Sequence, residues 1–355
     1  VTMRGMAGNG QHRPLTGAAA SAAPSGWIAL SDRAGLMGAL PESGVLERGT
    51  LIFEMACPLE APTVLLDLAG SGAGGGLSLF HDAATGLALR HRQGAAVVRH
   101  MLPGALPQAP GVARVLFRWD VPAQRWSLSY ERPDLDLRLS ATGRDPLPLP
   151  LTDLQALCAG AATHRHPALL WFGATRAAAP PPHAPWIGLR TPIATPTGLR
   201  PAGNLRPGDM VLCGDGRVRP LRGCRQIALP SRGGYAPVLL RAPFFGNRGD
   251  LLVSADQCLQ IRGTAVEYLF GEDQVLVRAR HLIDHRTALV ERRRAVTLTV
   301  SLDLGAPGVI ASDGIALLSA QHGGQAEPPP CRILDAYEAA PLVAQMRHPG
   351  GPRAA

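Results

Sequence analysis

Along residues 27–176 apolar and polar positions alternate with a period of two, the pattern of antiparallel strands that bury one face. In TLIFEMAC, Leu51, Phe53 and Met55 fall on one side. Leu77 and Leu79 lead into a turn over residues 81–86, and Leu87 and Leu89 leave it. The clearest hairpin is RVLFRWDVPAQRWSLSY: Val115, Phe117 and Trp119 enter, residues 120–124 turn, and Trp126, Leu128 and Tyr130 return. ALLWFGATR supplies another short strand. Six or more such segments without a helical period predict a β-sandwich over 26–176.

Residues 177–185 read AAAPPPHAP, a stiff and extended Pro-rich linker. Short strands set by turns resume after it. In Pro207-Gly208-Asp209 the proline fixes one φ and the glycine is free to take a positive one. Met210, Val211 and Leu212 then start a strand that Gly214-Asp215-Gly216 turns again. The expected division is an unstructured lead at 1–25, a sandwich at 26–176, the linker at 177–185, a second all-β domain at 186–320 and a tail at 321–355. In the tail, PPPCRILDAYEAAP reads as an end segment with a short helix packing back.

Composition sharpens this picture. Only 5% of the 355 residues are aromatic while 46% are hydrophobic, so the cores must rest on Leu, Val and Ala. With 41 Gly and 33 Pro the chain is heavily punctuated, which favours turns over long helices. The net charge of +8 invites a nucleic-acid reading. The sequence contains no lysine, and its only asparagines are Asn9, Asn204 and Asn247. That bias fits a GC-rich coding sequence, and the arginines are scattered apart from the run after Glu291, so nucleic acid is not the expected partner. The six cysteines lie far apart with no CxxC pair, which argues against both a metal site and a disulfide framework. No run of 18 apolar residues predicts a membrane span. The first 25 residues lack the apolar stretch of a Sec signal, leaving export by another route open.

Gly70-Ser-Gly72-Ala-Gly-Gly75 matches GxGxxG, but a dinucleotide site needs a helix next, and LSLFHDAATGLALRH alternates as strands do. No GxSxG, HExxH or paired carboxylates place a hydrolase. No cofactor or metal is expected.

The strand order of the first half, with GTLIFEM early, the two hairpins next and LLWFGATR late, resembles laminin-G/concanavalin-like jelly rolls. That resemblance implies a glycan or cell-surface ligand for residues 26–176 and assigns no particular residue. The second half is similar to the Hint (hedgehog/intein) autoprocessing family of bacterial type. IATPTG followed by LRPGDMVL, then DLLVSADQ, QVLVRARHLID and TLTVSLDLGAPGVIASDGI occur in the family's order. The resemblance implies a horseshoe-shaped all-β fold.

Such domains begin with an N–S or N–O acyl shift, in which a Cys or Ser at the first position attacks the preceding carbonyl. A histidine, helped by a Ser or Thr three residues earlier, protonates the departing backbone nitrogen. Carried onto this chain, the nucleophile position falls at Trp186 or Ile187, neither of which carries a thiol or hydroxyl, and Ser254 keeps the helping hydroxyl. Gln257 stands where the histidine belongs, and an amide donates hydrogen bonds but does not titrate. Thr191 is the substitute nucleophile to weigh, although a bare hydroxyl before Pro192 has a turn role. Cys258 reads as a buried strand residue and His281 as a structural histidine. No His-Asn pair supports splicing. The expectation is therefore a protein descended from self-cleavage, degenerate at Trp186 and Gln257 and not an enzyme. The alternatives are an active processor using a shifted nucleophile, and a secreted glycan-binding or surface-interaction module.

Overall fold

The computed structural model describes residues 26–32, 44–69, 75–160, 163–177, 179–322 and 327–346. The chain is all-β in class, with strands through both halves of the described residues. The 120–124 hairpin pairs Val115 with Tyr130, Phe117 with Leu128 and Trp119 with Trp126. Together with its neighbours it makes a six-stranded antiparallel sheet in the order Ala29–Leu30, Leu169–Thr175, Arg48–Cys57, Gly111–Asp120, Arg125–Arg132, Leu137–Arg144. A five-stranded sheet runs Thr163–Arg165, Thr63–Ala69, Gly76–Asp82, Gly86–Gln93, Ala96–Pro103. Leu51, Phe53, Met55, Val115 and Phe117 from the first sheet meet Leu66, Leu68, Leu79 and Leu89 from the second in one core. Gly86 is obligatory at its turn: φ is +111°, and a Cβ there would lie 2.0 Å from the Leu102 carbonyl oxygen.

Two elements depart from the pattern-based reading. Leu151–Ala159 is a helix that the absence of a helical period did not anticipate. Its Leu151, Leu154 and Leu157 recur every three residues and seal the sandwich core, a signal too short to rise above the surrounding alternation. Thr264–Phe270 is a second short helix. Residues 179–185 are held by hydrogen bonds: the Tyr235 hydroxyl donates to the Pro181 carbonyl, and the Trp186 indole donates to that of Pro182. Residues 70–74 of the glycine-rich run lie outside the described residues, and the strand Gly76–Asp82 follows it.

The second half builds a six-stranded sheet in the order Gly223–Pro230, Val296–Asp303, Ile187–Gly188, Leu251–Val253, Val238–Leu240, Ala288–Val290. A four-stranded sheet of Gln274–Arg278, Cys258–Arg262, Ala316–Leu318 and Val309–Ala311 and two small hairpins complete it. The helix Ala336–Met346 packs back, with Leu334, Ala339 and Leu342 in this second core. Among the described residues no helix is long and apolar enough to cross a membrane.

The outward face of the first sheet buries itself against the second half. Trp27, Leu30, Ile52, Leu116 and Trp171 meet Trp186, Ile227, Leu229 and Tyr235 in a separate cluster. The Trp27 and Trp171 rings meet edge to face at 5.6 Å, and Trp171 and Tyr235 lie 5.5 Å apart. Each such aromatic removes roughly 150–250 Å² from water.

His91 and His100 are buried in the sandwich with no partner for either ring nitrogen among the described residues. Burial pushes both down to about 4, with the neighbouring His91 adding to the effect on His100. The folded state thus takes up fewer protons than the unfolded chain, whose histidines titrate near ~6.5. This stabilisation is complete above that value and is lost as pH falls toward 4. Thermal melts at pH 7.5 and 4.5 should show a drop of several degrees, and His100→Leu should shrink that drop.

Candidate functional site

The strand Ile187–Gly188 lies inside its sheet, Ile187 pairing with Val253 on one side and Val300 on the other. This register places residue 186 opposite Ser254. The Ser254 N–H donates to the Trp186 carbonyl at 2.8 Å, and the Trp186 N–H donates to Ser254 Oγ at 3.1 Å. Ser254 therefore grips residue 186 from both ends, and its side-chain oxygen sits on the nitrogen of the 185–186 peptide bond. Both residues are buried.

Beyond Ser254 the chain turns tightly, the Gln257 N–H donating to the Ser254 carbonyl at 3.0 Å. The ARHL segment braces this turn. Ala279 N–H donates to the Gln257 carbonyl at 2.9 Å, and Arg280 N–H to that of Ala255 at 2.8 Å. Gln257 is fully buried beside Pro185 and Ile187 at a small cavity. Its NH₂ donates to the carbonyls of Leu318 at 3.0 Å and Cys258 at 3.1 Å, which fixes the amide orientation because carbonyls only accept. Its own oxygen has no partner, and no hydrogen bond joins it to residue 186 among the described residues.

The other residues singled out from sequence stand apart. Thr191 closes a bend, its N–H donating to the Gly188 carbonyl at 3.0 Å, and its buried hydroxyl has no hydrogen-bond partner among the described residues. Cys258 points into a cluster with Leu276, Val309 and Ala316, and burial pushes its thiol up to about 11, well away from a reactive thiolate. His281 is half-buried, and burial followed by Arg280 and Arg278 lowers its pKa.

A charged cluster beside the junction escaped the sequence reading. Glu54, 1% exposed, accepts from Arg114 Nη2 at 2.6 Å, from the Trp171 indole at 2.7 Å and from the Gly234 backbone N–H at 2.6 Å. The Arg114 guanidinium also lies 5.2 Å from the Tyr235 ring centre and donates to His183 Nε2. Because Arg only donates, Nε2 must accept, which puts the ring proton on Nδ1, 3.8 Å from Asp256. Burial, then Arg114 and Arg280, drive His183 down to about 3, so it is neutral. Asp256 lies within the turn between Ser254 and Gln257 and pairs with Arg280 at 3.0 Å. The only sequence signal for this cluster was a lone histidine in a proline run three residues before Trp186.

The arrangement can hold a peptide bond at residues 185–186 by both its hydrogen-bonding ends. Among the described residues, no titratable side chain hydrogen-bonds to that peptide, whose N–H is taken by the Ser254 hydroxyl. With this geometry in view, residues 189–324 match the family described as "Hint domain". The second half of the chain thus carries a Hint domain inside an all-β fold. The chain is also similar to the MchDnaB-1 intein, at 16% identity with a TM-score of 0.25, covering 38% of this chain and 99% of that one. A CBM40 domain of Ruminococcus gnavus IT-sialidase, bound to alpha2,6 sialyllactose, is 14% identical with a TM-score of 0.27 over 43% of this chain and 94% of that one. Among curated proteins none matches.

Two substitutions test the geometry. Ser254→Ala strands the buried Trp186 N–H and should cost about 1–3 kcal/mol in denaturant unfolding, with Ser254→Thr recovering most of it. Arg114→Met leaves Glu54 as a buried unpaired charge and should cost about 3–5 kcal/mol.

Proposed function

We propose that this protein descends from a self-processing module and now keeps its junction intact, the Hint scaffold serving as a fixed partner to the preceding sandwich. On this reading the first domain is 26–176, the linker 177–185, the Hint-type domain 186–320 and the tail 321–355. One observation carries the proposal: the residue at the head of the Hint strand is a tryptophan whose ring is 1% exposed and shared with the core between the two halves. An indole has no thiol or hydroxyl with which to make the acyl shift. Gln257, in the family's histidine place, spends its amide on two backbone carbonyls and has no proton to deliver near neutral pH. Ser254 keeps the grip on the 185–186 peptide, the part of the machinery that also serves packing. The rival processor based on Thr191 has less support, since that hydroxyl is buried in a bend with no base hydrogen-bonded to it among the described residues.

A second reading, in which residues 26–176 present a glycan-binding surface, is favoured by one feature: an arginine-lined cleft at the hairpin end of the first sheet.

Intact mass of the purified protein in thiol or hydroxylamine should stay at 37.3 kDa over a day. Release of a fragment ending near Pro185 would overturn the proposal. The double variant Trp186→Cys/Gln257→His restores the missing groups and should show thiol-dependent cleavage at that bond, at least tenfold above either single variant.

A further inference from the structure

The outward face of the six-stranded sheet falls into cross-strand rows. Toward the second half of the chain the strands align Glu54, Arg114, Glu131 and Arg138, with charges of alternating sign. Arg114 pairs with Glu54 at 2.6 Å and Arg138 with Glu131 at 3.5 Å. Followed toward the 120–124 turn, the same alternation gives a hydroxyl-rich row, Thr50, Arg118, Ser127 and Thr142, and then Arg48, Asp120, Arg125 and Arg144. The second row breaks the rule of opposite signs. Arg125 and Arg144 are direct cross-strand partners, an arrangement that repels unless something negative lies between them.

Among the described residues no carboxylate lies within ion-pair distance of either arginine, although Asp120 faces Arg125 across the strands. Asp120 is taken by Arg48 at 3.3 Å. Among the described residues Arg118, Arg125, Arg144 and Arg176 have no carboxylate within ion-pair distance. A second pair of facing arginines among the described strands, Arg90 and Arg99, differs in this respect, for Asp67 lies 3.8 Å from Arg90. The uncompensated arginines border a cleft of about 940 Å³.

We propose that this cleft binds an acidic oligosaccharide, with Arg125 and Arg144 clamping a carboxylate or sulfate group and Ser127 and Thr142 meeting the sugar hydroxyls. The inference rests on the second reading above and gives it a place and a ligand class. Guanidinium forks match planar carboxylate and sulfate oxygens in pairs. The adjoining hydroxyl row offers both donors and acceptors, as alternating acid and hydroxyl groups on a sugar chain require. The space suits a few sugar units. A nucleic acid fits worse. Single strands need exposed aromatic platforms, but Trp119 is buried, and the Trp126 ring covers Gly143 with its indole N–H donating to the Arg144 carbonyl at 3.1 Å.

The test is calorimetric titration of the full-length protein with a galacturonate hexamer, a heparin-derived hexasaccharide, cellohexaose and a single-stranded oligonucleotide. At least one acidic saccharide should bind. Arg125→Gln/Arg144→Gln should weaken it at least tenfold, while Arg92→Gln/Arg99→Gln, an equal charge loss on the other sheet, should change it less than twofold. Thermal melts of both variants confirm that each is folded. Binding of cellohexaose alone, acidic binding indifferent to Arg125 and Arg144, or tighter binding of the oligonucleotide overturns this inference. The first two results leave the glycan reading standing. Absence of binding by every saccharide removes that reading as well.

Discussion

A single carboxylate, Glu54, sits at the seam between the two halves of the chain with almost no access to water. A charge in that position is tolerable only when every oxygen is met by a donor. Arg114 and Trp171 meet it from its own sheet, and the backbone of Gly234 meets it from the Hint side. Sliding the two halves apart would strand the charge, so the contact has one preferred geometry as well as apolar area. Through Arg114 the same network reaches His183, Asp256 and Arg280, the residues flanking the junction before Trp186 and the turn after Ser254.

The junction inherits its rigidity from that seam. A self-cleaving peptide needs a nucleophile free to reach its carbonyl and a proton donor on the departing nitrogen. Here the indole of residue 186 fills the inter-half core, while Ser254 holds the backbone nitrogen in a neutral hydrogen bond. The side chain that packs best between the halves is one that cannot attack, which links loss of chemistry to gain of a fixed interface on the reading proposed here. The neutral His183 nearby fits the same environment, since its burial and two arginines disfavour a proton there.

Much of the fold was legible because its signals are local. Period-two alternation placed the strands around residues 115–130, and turn residues placed their ends. The helix Leu151–Ala159 was not legible, because three leucines over two turns cannot be told from strand positions in so short a segment. At the junction, the facing of Ser254 and residue 186 followed from the order of several motifs, not from any one of them. The Glu54 cluster left no such trace. Its partners lie 60, 117 and 180 residues away along the chain, and a glutamate or an arginine within an alternating strand looks like any solvent-facing position.

The arginines show where that boundary falls. By composition they are scattered and read as drift in a lysine-free chain, and for Arg138 or Arg114 an acidic neighbour across the strand makes them ordinary. Only pairing of the strands sets Arg125 beside Arg144 with no carboxylate in ion-pair reach among the described residues, and only docking of the Hint half decides which end of that sheet face stays open. By itself the sequence determined the strands and the turns, since these depend on neighbours a few residues apart. The tertiary structure decided which faces are covered and which charges are paired, since burial and ion pairing depend on segments that meet only when the whole chain has folded.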